Sequence, residues 1–147
     1  MTTHGANTSR WLARASLAAY VASLCVPAYR TDYYGGPQSH FGIEALLLGP
    51  IGLFAGHISW IANPVLWQAW RKRTSSSHGL SFALALLAFV IAASFLLGKT
   101  VAVGSAGEYA YHATFGFYLW LVSMVLAAAA AWSYSSSEEG GGSENAL

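Results

Sequence analysis

The chain has 147 residues, of which 55% are apolar and 9% charged, and its formal net charge is +1. This composition is typical of a membrane protein, and a chain this short forms one domain. The near-neutral charge argues against a nucleic-acid partner, which would need a basic face. The single cysteine, Cys25, excludes an internal disulfide and every metal motif with several cysteines.

The first predicted element is a transmembrane helix over residues 11–29, after a polar N-terminal segment, 1–10, that we expect to fray. Arg10 and Arg14 before an apolar run would also suit a cleaved signal peptide. Three further apolar runs follow, however, and the residues around Pro27 form a poor cleavage context. The first run is therefore predicted to stay as a membrane span.

The second predicted helix covers residues 42–62 and follows a loop, 29–41, whose Gly and Pro residues break helix. Pro64 lacks a backbone N–H and Asn63 precedes it, so we expect a kink or break at this pair. Residues 65–73 carry two tryptophans and a basic cluster, which predicts an interfacial segment in the lipid head groups.

A third helix is predicted over 80–98 and a fourth over 111–132, joined by a short loop at 104–108. Residues 134–147 are rich in Ser, Gly and Glu, which predicts a disordered acidic tail. The fold class is therefore all-α: an integral membrane four-helix bundle that occupies residues 11–133.

The orientation of the bundle follows from its basic residues. Arg10, Arg14 and the cluster Arg71–Arg73 lie on one side of four spans, whereas the other side holds Arg30 and Lys99. Basic residues favour the cytoplasmic side, so both termini are predicted to be cytoplasmic.

Small and polar residues form a stripe along the second predicted helix. Its main members recur at spacings of three and four: Gly49, Gly52, Gly56, Ser59 and Asn63. In a membrane, such a stripe lets another helix approach closely. It predicts packing against helix four or helix one, or contact with a second copy or another membrane protein.

His57 of the same predicted helix is expected near the middle of the membrane, with Trp60 one turn away. An ionisable residue at this depth suits a proton path, a haem ligand or a substrate contact. The competing interpretation is a neutral histidine that bonds to a neighbouring helix.

Two histidine–carboxylate pairs are predicted on the outer side. His40 and Glu44 stand four residues apart, as do Glu108 and His112, and Asp32 is nearby in the first loop. If these side chains converge, they would suit zinc or another divalent metal. The alternative is local, because acidic residues near helix starts favour the helix dipole. No other cofactor is expected.

Four segments are informative when taken together: Gly42–Gly49, Gly52–Leu53, Trp60–Pro64 and Phe117–Met124. They resemble a group of small, uncharacterised four-helix proteins of the bacterial inner membrane. The resemblance implies a four-helix integral membrane protein of the bacterial inner (cytoplasmic) membrane, and it carries no activity or site residues.

These features give one leading functional prediction and two alternatives. The leading one is a non-enzymatic protein of the lipid bilayer that acts through helix–helix contacts, as a self-associating, accessory, regulatory or immunity-type subunit. The first alternative is a small-molecule or metal-ion binding or transport protein that uses His57 and the outer His/Glu cluster. Recognisable catalytic motifs are absent from the sequence. A membrane enzyme is the second alternative, with Glu44, His57 and His112 as its acid–base candidates.

Overall fold

The computed structural model describes residues 3–33, 35–54, 56–73, 78–98, 100–102 and 108–142, and these residues are mostly helical. In chain order the elements are α1 (Thr3–Cys25), β1 (Pro27–Tyr33), β2 (Gly36–Phe41), α2 (Gly42–Phe54), a 3₁₀ helix (Ile58–Ile61), α3 (Ala62–Lys72), α4 (His78–Ala93), a second 3₁₀ helix (Ser94–Leu97), β3 (Thr100–Ala102), β4 (Glu108–Ala113) and α5 (Phe115–Gly142).

A small antiparallel sheet with the strand order β2-β1-β4-β3 covers one end of the helices. The prediction of a loop over residues 29–41 was wrong, because most of this segment forms the β1–β2 hairpin. Gly36, at φ +114, begins β2 after the turn of that hairpin. Gly36 and Pro37 are thus the first residues of a strand rather than part of an irregular loop.

The fourth predicted helix, 111–132, begins later than expected. Residues Glu108–Ala113 are extended as β4, which pairs with β1 through Tyr29↔Ala113 and Thr31↔Tyr111. Helix α5 then runs from Phe115 to Gly142. The predicted loop at 104–107 lies outside the described residues.

The predicted disordered tail, 134–147, also needs correction, because α5 continues through Gly142. Extending an existing helix requires no new nucleation, and the preceding Ala-rich segment is a strong helix former. Residues 143–147 lie outside the part of the chain that the structure describes.

Helices α1 and α5 pack along a seam of small residues. Ser9 donates a hydrogen bond to the Ala130 carbonyl oxygen (2.7 Å), and Ser16 donates to the Ser123 carbonyl oxygen (2.6 Å). Both serines are fully buried. The prediction that the N-terminal segment frays is therefore wrong for residues 3–9, which belong to α1, since Ser9 is packed within the bundle.

Helix α4 presents an alanine face to its neighbours. Ala85, Ala88 and Ala92, whose spacing of three and four residues puts them on one helix face, are all fully buried. Small side chains let helix backbones approach closely. With the 3₁₀ helix that follows it, α4 covers residues 78–97, where the sequence predicted 80–98.

The predicted single helix over 42–62 is two helices joined by a sharp turn. Gly56 has φ +85, a left-handed conformation that glycine adopts without a steric penalty. Its N–H donates to the Leu53 carbonyl, and the His57 N–H donates to the Gly52 carbonyl. These two bonds form a Schellman motif, which ends α2.

The chain turns before Asn63 and Pro64 rather than at them. Pro64 lies in the first turn of α3, where a missing N–H is tolerated. Helix α3 covers most of the predicted interfacial segment, 65–73, and the position of this segment in the lipid head groups stays a prediction. Leu66 and Ala69 in α3 are fully buried within the helix bundle, because this helix packs against α4.

Two helical stretches, His78–Leu97 and Phe115–Tyr134, are long and apolar enough to cross a membrane. Helix α2 is apolar but shorter. Its outward side chains are largely exposed, with Leu47 at 70% and Phe54 at 94% of full exposure.

Candidate functional site

A cavity of about 650 Å³ lies between α2 and the remaining helices, beneath the sheet. Its walls come from α2, the first 3₁₀ helix, the C-terminal end of α1 and the first turns of α5. The lining is mostly apolar. Cavities of roughly 300–1,000 Å³ with apolar walls and a few polar groups are typical binding sites for small organic molecules.

The small residues of the predicted stripe line this cavity instead of forming one straight helical face. Gly49 and Gly52 belong to the wall from α2, whereas Ser59 and Asn63 lie beyond the turn. Gly56 is in the turn itself. A Cβ at Gly52 would meet only the His57 Cβ, at an ordinary contact distance of 3.7 Å. The lack of a side chain at Gly52 therefore leaves space open at this point of the α2 wall, which also carries apolar side chains such as Leu46 and Ile51.

Trp60 fixes the 3₁₀ helix against α2. Its indole N–H donates to the Leu46 carbonyl oxygen at 2.8 Å, and its ring occupies the space where a side chain at Gly49 would lie. Pro50 has no N–H to donate to that same carbonyl within α2. Trp60 thus satisfies a backbone group that the proline leaves without a helical partner.

Asn63 joins three elements at the base of the cavity. Its Oδ1 accepts hydrogen bonds from the Tyr20 hydroxyl and the Trp120 indole N–H, both at 3.1 Å. Its Nδ2 donates to the Trp60 carbonyl oxygen at 3.2 Å. Because the Asn63 residue is buried, these bonds fix α1, α5 and the 3₁₀ helix relative to one another.

Aromatic side chains of the sheet close the cavity at its upper end. Tyr29 stacks on His40 with ring centroids 4.7 Å apart, and it meets Phe95 edge to face at 5.7 Å. Burial, and secondly the Glu44 carboxylate, raise the pKa of Tyr29 above its usual value. The Tyr111 hydroxyl donates to the Phe95 carbonyl oxygen, which fastens the sheet to the helix beneath it.

His57 and Ser59 bring polar side chains to the cavity wall without hydrogen-bond partners among the described residues. A neutral imidazole carries one donor and one acceptor, and a hydroxyl can do both. Both groups can therefore bind a polar group of a ligand. The proton-path and haem interpretations of His57 stay predictions.

The predicted metal ligands form two separate pairs. His40 Nδ1 is 3.8 Å from Glu44 Oε2, and His112 Nε2 is 3.4 Å from Asp32 Oδ2. The side chain of Glu108 lies outside the described part of the structure. Within that part, no three His, Cys, Asp or Glu side chains form a group that could hold a metal ion.

Strand alternation explains why the two pairs do not meet. His40 is opposite Tyr29 in the sheet, whereas His112 is opposite Arg30, the next residue of β1. Successive residues of a strand point to opposite faces, so the two histidines lie on different faces of the sheet. His40 faces the cavity and His112 faces away from it.

Sequence reasoning missed the cavity residues that come from other elements, including Phe95, Phe117 and Trp120. It also missed Tyr20, which bonds to Asn63. A signal was present for two of them. Tyr and Trp each carry one polar group on an apolar body, and in an apolar segment that group needs a partner. The buried amide of Asn63 is that partner.

Comparison of the chain with protein-family models finds no match, and comparisons with curated proteins and with solved structures find none either. The resemblance to small inner-membrane proteins therefore stays a prediction.

Proposed function

We propose that this chain is a multi-pass membrane protein with its sheet on the outer side of the bilayer. Two apolar helical stretches and the exposed apolar side chains of α2 support a membrane location. The cluster Arg71–Arg73 lies at the end of α3 opposite the sheet, which supports a cytoplasmic position for that end. The bacterial inner membrane is the compartment that the sequence resemblance predicts.

Within this membrane protein, we propose that the cavity binds an apolar small molecule. The observation that carries the proposal is the cavity of about 650 Å³ between α2 and the bundle, with glycines along its α2 wall. Both α2 and the 3₁₀ helix after its turn contribute to the wall, so a single copy of the chain supplies a site of this size. The first alternative from the sequence, small-molecule binding, thus has better support than helix association.

The contacts of the glycines explain this preference. Gly49 is covered by the Trp60 ring, and Gly56 supplies the left-handed residue that ends α2. Both glycines therefore have roles within the chain. Association with a second copy or another membrane protein through the stripe remains a prediction.

The test introduces a large side chain at a glycine of the cavity wall. Gly52→Leu would place a side chain into the cavity, whereas Gly79→Leu introduces the same side chain at a position with nothing within 4 Å of a Cβ. The native protein and the two variants are purified in the same neutral detergent. Bound small molecules are then extracted and quantified by mass spectrometry.

We expect the native protein and Gly79→Leu to retain the same apolar molecule in stoichiometric amount, and Gly52→Leu to lose it. Far-UV circular dichroism checks that both variants keep the native helix content. An equal amount of the molecule on Gly52→Leu, or none on the native protein, would contradict the proposal.

A further inference from the structure

We infer that the cavity selects a neutral amphiphile, whose apolar chain ends in a hydroxyl, ester or amide group, over a carboxylate or phosphate of the same chain length. This inference rests on the proposed function and specifies the chemical class of its ligand. It follows from the charges and the free hydrogen-bonding groups at the cavity wall.

The described residues of the cavity wall include no side chain of the permanently charged or carboxylate types. Among the described residues that line it there is no Arg, Lys, Asp or Glu, and its ionisable side chains are Tyr29, His40 and His57. An anion moved into such a site would lose its hydration without gaining an ion pair. A neutral head group loses far less on transfer.

The Glu44 carboxylate also disfavours an anion in the cavity, because like charges repel. Glu44 accepts a hydrogen bond from the Phe41 N–H at 3.1 Å, and its Oε2 lies 3.8 Å from His40 Nδ1. Burial, and secondly the charge of Glu44, raise the pKa of the Tyr29 phenol. Tyr29 therefore stays protonated and neutral in the cavity wall at physiological pH.

Two polar side chains nevertheless favour a ligand with a hydrogen-bonding group over a pure hydrocarbon. His57 and Ser59 line the cavity, and neither side chain bonds to another described residue. Together they offer both donors and acceptors. A hydroxyl, ester or amide can use these groups, whereas a saturated alkane would leave them unpaired.

The test compares three photoactivatable probes with the same diazirine-bearing chain: myristyl alcohol, myristic acid methyl ester and myristic acid. The native protein is labelled in a neutral detergent at about pH 9, where the acid is ionised. Labelling of cavity peptides is divided by labelling of the exposed face of α4 around Val90, which corrects for partition into the micelle.

We expect the alcohol and the ester to label the cavity peptides about tenfold more than the acid, because burying an unpaired charge is unfavourable. Equal or stronger labelling by the acid would overturn the inference. A fourth probe, the corresponding diazirine alkane, tests the polar contacts. In His57→Phe and Ser59→Ala, alcohol labelling should fall while alkane labelling is unchanged.

Gly52→Leu separates the two proposals. If all probes label the cavity equally and Gly52→Leu abolishes that labelling, the cavity binds apolar molecules but does not select neutral ones. If no probe labels the cavity above the α4 reference, the proposed function fails and the inference fails with it.

Discussion

Trp60 donates its indole N–H to the Leu46 carbonyl oxygen at 2.8 Å, and that carbonyl is the one that Pro50 leaves without a helical donor. A similar replacement of a missing backbone donor by a side chain occurs at Pro64. Pro64 cannot donate to the Trp60 carbonyl, and the Asn63 side chain donates to it instead. Both prolines thus create an acceptor that a nearby side chain uses, and both bonds shape the cavity.

Trp60→Phe should destabilise the protein by about 1–3 kcal/mol, because it leaves the Leu46 carbonyl without a donor. In a Pro50→Ala background the same substitution should cost less, since the restored backbone N–H can satisfy that carbonyl. A double-mutant cycle of unfolding free energies in detergent measures this coupling.

Trp11→Phe is the matched control, because Trp11 is 63% exposed and the Phe ring can still lie beside Arg14. It should change stability by less than about 0.5 kcal/mol. Equal losses from Trp60→Phe with and without Pro50 would show that the indole contributes by packing alone.

Asn63→Leu should cost about 3 kcal/mol, because it leaves the Tyr20 hydroxyl and the Trp120 N–H without their acceptor. Gln68→Leu is a matched amide substitution at an exposed position of the same helix and should be nearly neutral. Thermal unfolding monitored by circular dichroism compares the two. Similar midpoints for both variants would contradict the role of Asn63 as a junction.

Ser16→Leu should destabilise the α1–α5 seam by about 1–3 kcal/mol through overpacking and loss of the bond to the Ser123 carbonyl. Ala18→Leu places the same side chain on the exposed face of α1. Denaturant titration of both variants measures the difference. A Ser16→Leu protein as stable as Ala18→Leu would mean that the seam tolerates a large side chain.

The proposed orientation predicts which residues a membrane-impermeant maleimide reaches. In a Cys25→Ser background, Gln38→Cys on β2 should react in intact bacterial cells, whereas Lys72→Cys at the end of α3 should react only after lysis. Both positions are exposed in the structure. The opposite pattern would reverse the orientation, and equal labelling of both in intact cells would argue against a membrane between them.

Local sequence patterns predicted part of the fold well. The alanine face of α4 is buried as its spacing indicates, and the effects of Pro50 and Pro64 on their carbonyl partners were foreseeable. Gly56 was misread because a helix-packing glycine and a helix-ending glycine have the same local sequence. The Schellman bonds that distinguish them form only when the chain turns.

The sheet and the cavity depend on contacts between residues far apart in sequence. The pairing of Tyr29 with Ala113 joins two segments that each resemble a loop or a helix start when taken alone. The cavity in turn exists because α2 folds back beside the bundle. The spacing of apolar and small residues within α2 does not predict that position.

The most direct test of the central claim is quenching of tryptophan fluorescence by a monoacylglycerol with a brominated chain. Trp60 and Trp120 line the cavity, whereas Trp11 is exposed. We predict a saturable quenching component in the native protein and in Gly79→Leu, and its loss in Gly52→Leu. Quenching that rises without saturation in the native protein, or a saturable component that persists in Gly52→Leu, would contradict a binding site in this cavity.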